Sequence, residues 1–147
     1  MILVSMILTA KGDEVISVNL GTTMIEALEL MAEKNIGAIM VLDKGKPVGI
    51  FSERDFVREV AKDQCLMLKM PIETYMTKEL YCVSPSSTID ECMAIMTNKH
   101  IRHLPVMQGD TLMGIISIGD VVKNVIEDKN LLIDNLEGYI FGHSYGT

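Results

Sequence analysis

Two short stretches, GIFSERDFV over Gly49–Val57 and GIISIGDVV over Gly114–Val122, share a glycine, an apolar run, a serine and, three residues later, an aspartate. A carboxylate in the first turn of a helix can accept two hydrogen bonds, which suits a pair of neighbouring hydroxyls. A serine hydroxyl beside the free N–H groups of a helix start suits phosphate oxygens. The apolar strand end before the serine offers a flat surface to a ring. Ser52-x-x-Asp55 and Ser117-x-x-Asp120 are equally acceptable helix N-cap patterns, and spacing alone favours capping.

The two stretches belong to an internal repeat. Adding 65 to a residue number superimposes the halves without a gap: Val18 on Val83, Thr23 on Thr88, Glu26 on Glu91, Val41 on Val106, and Asp55 on Asp120. A unit of about 50 residues is marginal alone, and two such units can share the burial they lack separately. Each unit predicts the order β-α-β-β-α. A short strand comes first, over Val15–Val18 and Leu80–Val83. Thr23-x-x-Glu26 and Thr88-x-x-Glu91 are capping boxes that open helices. Met24, Ala27, Leu28 and Met31 then fall on one helical face, and Glu26, Glu29 and Glu33 on the wet one. Ala38–Leu42 with Val48–Phe51, and Leu104–Met107 with Leu112–Ile116, read as hairpins with glycine in the turn. A last helix follows Ser52 and Ser117. The chain divides into a packing segment over 1–11, repeat one over 12–62, a linker over 63–77, repeat two over 78–128 and a helical tail over 129–147. YIFGHSYGT is expected to fray.

The whole chain has 147 residues, of which 48% are apolar, so a sizeable core is available without any Trp. Its net charge of −7 opposes nucleic-acid binding, where phosphate neutralisation by Lys and Arg dominates affinity. A local pocket can still be positive and take a small anion. Cys65, Cys82 and Cys92 form no CxxC and have no histidine at metal-ligand spacing, which points to reduced thiols and a cytoplasmic setting. The apolar start MILVSMILTA lacks a basic leader and is too short to span a bilayer, so it is expected to pack on the body of the protein. No nucleophile elbow, metal motif or P-loop is present, and GKP at Gly45–Pro47 lacks the Walker glycines. An enzyme is therefore not expected.

Two β-α-β-β-α units, each ending in G-h-h-S-x-x-D, resemble a tandem pair of cystathionine-β-synthase-type (CBS) domains. EALELMAEKNIGAIMVLDKGKPVGIFSERDFVREV and IRHLPVMQGDTLMGIISIGDVVKNVI carry the likeness, which covers nearly the whole chain and looks like that of stand-alone CBS-pair proteins. The resemblance implies an α/β (α+β) fold with pseudo-twofold symmetry, two clefts between the repeats, and a disc-like homodimer built from helices. It implies no required cofactor and a regulatory adenosine ligand: AMP, ADP, ATP, NAD(H) or S-adenosylmethionine. A chain without an attached catalytic or transport domain is then expected to act on a separate protein partner. The competing expectation is an interaction module with empty clefts that dimerises through its helices.

The resemblance also assigns residues. Asp120 and Asp55 would take the ribose hydroxyls, and Ser117 and Ser52 the phosphates. Val83 and Ile116 would flank the adenine near Asp120, and Val18 and Phe51 near Asp55. Arg102 and His103 hold a position that supplies cations to phosphates, and Arg can do so as a bidentate fork. The aligned residues in repeat one are Gly37 and Ala38, with Arg54 as the substitute charge. The Asp120 cleft is thus expected to be the tighter phosphate site. His100 and His143 read as solvated groups, and Lys34 and Lys99 as helix C-terminal charges.

Overall fold

A computed structural model of the chain describes residues 1–12, 14–63 and 68–142. Cys65, His143 and the end of the expected tail lie outside the described residues. Helix α1 (Val4–Lys11) is followed by β1 (Ser17–Asn19), α2 (Met24–Lys34), β2 (Ala38–Asp43), β3 (Lys46–Ser52) and α3 (Glu53–Lys62). A 3₁₀ turn at Ile72–Thr74 leads to α4 (Ile89–Lys99), β4 (His103–Gln108), β5 (Thr111–Ser117) and α5 (Ile118–Gly142).

Both expected capping boxes form. The Thr23 N–H donates to Glu26 Oε2 at 2.9 Å and the Glu26 N–H to Thr23 Oγ1 at 3.3 Å, with Thr88 and Glu91 repeating the pair. Met24, Ala27 and Met31 turn inward from α2, as Ile89, Cys92 and Met96 do from α4. The helices end alike too, at Asn35 with φ 53° and His100 with φ 55°, both left-handed. The hairpin turns use Gly45 and Gly109 at positive φ, which a side chain would strain.

Repeat one forms a three-stranded sheet, β1 parallel to β2 and β2 antiparallel to β3. Repeat two keeps only the β4–β5 hairpin as a sheet. The strand expected at Leu80–Val83 contracts to a single parallel bridge, in which the Val83 N–H donates to Pro105 O and the Met107 N–H to Val83 O. SPSS follows at once and pulls the backbone into a turn before a ladder can extend.

The lead-in segments are exchanged between the repeats. Helix α1 precedes repeat one but packs on repeat two, where Val4 and Ile7 join Leu104, Val106 and Ile116 in one core. Residues 70–77 precede repeat two but close repeat one, with Ile72 buried against Met24 and Phe51. Main-chain bonds fix both: Val4 N–H to Ser87 O at 2.9 Å, and Ile72 N–H to Thr22 O at 2.7 Å. Ile7 and Ile72 are 65 residues apart, so the repeat extends into these segments. Neither unit's core is complete without chain from outside it, as the size of one unit requires.

The last helix and the expected tail are one element. α5 runs unbroken for 25 residues, so Tyr139–Gly142 are helical rather than frayed. No proline or left-handed cap interrupts it, and Gly138 lies within it at a modest propensity cost.

Candidate ligand clefts

Each Ser-x-x-Asp motif sits where a hairpin's second strand passes into a helix. The Ser52 N–H donates to Asp55 Oδ2 at 2.9 Å and the Asp55 N–H to Ser52 Oγ at 3.2 Å. The Ser117 N–H donates to Asp120 Oδ2 at 2.9 Å and the Asp120 N–H to Ser117 Oγ at 3.1 Å. Both motifs are therefore working capping boxes. Capping leaves acceptor capacity, because an ionised carboxylate has roughly four lone-pair positions.

A third partner reaches each carboxylate from an exchanged lead-in segment. Thr77 Oγ1 donates to Asp55 Oδ1 at 3.1 Å, while the Thr77 N–H and O pair with Ile50. In the other half Lys11 Nζ lies 2.8 Å from both Asp120 Oδ2 and the Ile115 carbonyl oxygen. Burial acts to raise the Asp120 pKa, but the Lys11 ammonium and the Ser117 donors outweigh it and hold the carboxyl below its ordinary range.

Two clefts open beside these carboxylates. The first, of about 480 Å³, places Ser52, Arg54, Asp55 and Arg58 opposite Tyr81 and Arg102 of repeat two. The second, of about 420 Å³, places Ser117 and Asp120 with Lys11 opposite Val15, Ile16 and Ala38 of repeat one. Both volumes fall within the range of small-molecule sites. Each cleft draws one wall from each repeat.

Arg102 and His103 line both clefts, together with Gly37, because they stand where the two meet. A Cβ on Gly37 would lie 3.3 Å from His103 Nε2, so the small residue makes room for the ring. This placement removes the reason for ranking the Asp120 cleft first. Arg54 and Arg58 add two further cations to the Asp55 cleft, one helical turn apart on the same face. Burial, followed by the nearby Lys11 ammonium, pushes the His103 pKa below 6.5, so the ring is neutral at pH 7. It offers one donor and one acceptor there, not a charge.

The apolar residues assigned to the base are placed elsewhere. Phe51 and Ile116 are fully buried in the repeat cores, Val83 nearly so, and Val18 packs against the core of repeat one. None lines either cleft. Strand parity is the reason: Ser52 and Ile50 share one face of β3, and Phe51 points to the other. The cleft walls use Ile50, Leu80 and Tyr81 in one case and Val15, Ile16 and Ile115 in the other. Sequence reasoning missed Arg58, Lys11, Thr77 and Tyr81. Arg58 was legible as the residue four positions after Arg54. Lys11 was not, because its partner is 109 positions away.

Among the described residues, no cluster of His, Cys, Asp and Glu is placed to hold a metal ion, and no helix is long and apolar enough to cross a membrane.

The CBS domain model matches residues 10–62 and again 72–127. The chain is 32% identical over 125 residues to a mitochondrial CBS domain-containing protein of Arabidopsis thaliana, covering 82% of this chain and 61% of the relative, so it spans under two thirds of that protein. It superposes on a CBS-domain protein of Agrobacterium tumefaciens at TM-score 0.80, with 40% identity, over 83% of this chain and 98% of that one. It also superposes, at TM-score 0.74 and 24% identity, on the CBS domain pair of protein MJ0100 solved with 5′-methylthioadenosine and S-adenosyl-L-methionine, over 86% and 97% of the two chains.

Proposed function

Since the chain belongs to the CBS-domain family, we propose that it is a regulatory module that binds an adenosine nucleotide (AMP, ATP or NAD(H)) between its repeats and signals to a separate protein. The observation that carries this reading is the pair of inter-repeat clefts, each with a capped carboxylate at the mouth of a helix and cations beside it. The carboxylate takes the ribose diol, the half-buried strand ends Ile50 and Ile115 face the base, and the helix start with its serine takes phosphate oxygens. The adenosine derivatives bound to the MJ0100 pair support the nucleoside half of the ligand.

Charge ranks the clefts. Arg54 and Arg58 line the Asp55 cleft in addition to Arg102, which the two clefts share, and guanidinium forks suit phosphate better than the single ammonium of Lys11 in the Asp120 cleft. This cleft is the tighter phosphate site in our reading. No residue is placed in a catalytic role. The proposal includes a cytoplasmic setting, in which the unpaired Cys82 and Cys92 would stay as thiols.

A homodimer belongs to the proposal. Val57 on α3 and Val122 and Ile126 on α5 are 65%, 48% and 52% exposed, and a second copy would cover them. The exposed Leu131–Ile140 face of α5, beyond the family match at residue 127, favours the second reading, an interaction module independent of ligand.

Calorimetry with AMP, ATP, NAD, NADH and S-adenosylmethionine separates the two. Saturable heat with at least one phosphorylated member is expected. No heat and no thermal shift across the panel would leave the interaction module.

A further inference from the structure

The two clefts differ most at the third partner of the aspartate. In one half it is the Thr77 hydroxyl on Asp55 Oδ1. In the other it is an ammonium: Lys11 Nζ bridges Asp120 Oδ2 and the Ile115 carbonyl at 2.8 Å each. The Lys11 side chain is 42% exposed and that of Asp120 22%, so the pair lies at the cleft wall rather than in free solvent. Its backbone is held by α1, whose Leu8 packs so close to Gly114 that a Cβ there would lie 2.8 Å from Leu8 Cδ2. The ammonium is thus delivered to Asp120 by a packed helix, not by a free arm.

We infer that Lys11 is a specificity-determining residue that makes the Asp120 cleft select phosphorylated ligands over the bare nucleoside. This rests on reading the clefts as nucleotide sites. A ribose diol that takes Asp120 must share or displace the charge-assisted bond from Lys11, and a neutral hydroxyl is the weaker partner. A displaced ammonium needs another anion. Among the described residues the other carboxylates lining this cleft are Glu14, already paired with Lys34 at 3.7 Å, and Glu53. A ligand phosphate supplies that anion at the site; adenosine supplies none. The four-carbon lysine stem permits the swing without moving α1. Among the described residues Asp55 is held by Ser52 and Thr77 with no ammonium between them, so its cleft lacks this filter.

The test is calorimetry with adenosine and AMP on the full chain carrying Asp55→Ala, which removes the other cleft's carboxylate. The same protein is then measured with Lys11→Met, which keeps the stem and removes the charge, and with Lys11→Arg. Circular dichroism and melting confirm that each is folded. Lys11→Met is expected to lower the preference for AMP over adenosine by about tenfold, mainly by tightening adenosine. Lys11→Arg keeps the preference. An unchanged preference in Lys11→Met, or equal loss of both ligands, overturns the inference and leaves the nucleotide reading standing. If the Asp55→Ala protein with native Lys11 binds neither ligand while the wild type binds AMP, the Asp120 cleft is no nucleotide site and the inference falls with it. If the wild type also binds neither, the nucleotide reading itself fails.

Discussion

Arg54 of repeat one donates from Nη1 to the main-chain carbonyl of His100 in repeat two, 46 positions away. His100 ends α4 in the left-handed conformation, where helix carbonyls lack internal partners. One guanidinium therefore ties the repeats together and lines the Asp55 cleft.

Arg54→Ala is expected to cost about 1 kcal/mol of stability in urea unfolding. It should also weaken AMP more than adenosine. Arg54→Lys should recover little of either, because one ammonium cannot hold the carbonyl and a phosphate together. Unchanged stability with equal loss of both ligands would contradict the double role.

The glycine that begins each motif is a packing residue. A Cβ on Gly114 would meet Leu8, and one on Gly49 would meet Met76, so each glycine admits an exchanged lead-in segment. Gly114→Val should cost about 1–3 kcal/mol through overpacking and loosen α1. Hydrogen exchange of Val4–Lys11 should rise in the same variant. Exchange that rises elsewhere but not in α1 would argue against this.

His103 gives the protein a pH slope. Its folded pKa lies below 6.5 because burial disfavours the charged ring. As pH falls below 6.5 the unfolded chain takes up a proton that the folded ring refuses, so stability falls with pH until the folded pKa is passed. Melting at about pH 7.5 and about pH 5.5 should show a larger loss for wild type than for His103→Gln. Equal losses would mean that other groups set the slope.

Much of this organisation was legible. The shift of 65 residues, the Thr23 and Thr88 capping boxes and the two hairpins follow from local pattern alone. What was not legible needed three dimensions. Phe51 and Ile116 read as cleft walls until strand parity turned them inward. Arg102 and His103 read as one cleft's cations because alignment along the chain cannot show that they stand at the junction of both. The Lys11–Asp120 link joins the first helix to the last, and no local signal marks it. The run through Tyr139–Gly142 looked frayed from its glycines, yet α5 continues because nothing stops it.

The exposed apolar residues of α3 and α5 predict a dimer. Light scattering at micromolar concentration should give twice the chain mass. Val57→Glu with Val122→Glu should shift it toward one copy while melting stays cooperative. If instead Leu132→Glu with Leu136→Glu alone abolishes the dimer, the α5 extension rather than the repeat helices forms the interface.

The most direct test of the central claim is calorimetry of AMP binding to wild type and to Asp55→Ala/Asp120→Ala. Saturable heat in wild type and an affinity at least tenfold lower in the double variant are expected, since each carboxylate loses charge-assisted bonds worth roughly 1.5–3 kcal/mol. Circular dichroism should show that both proteins keep their secondary structure. An affinity that stays the same while only the melting temperature falls would mean that the two aspartates cap helices and nothing more.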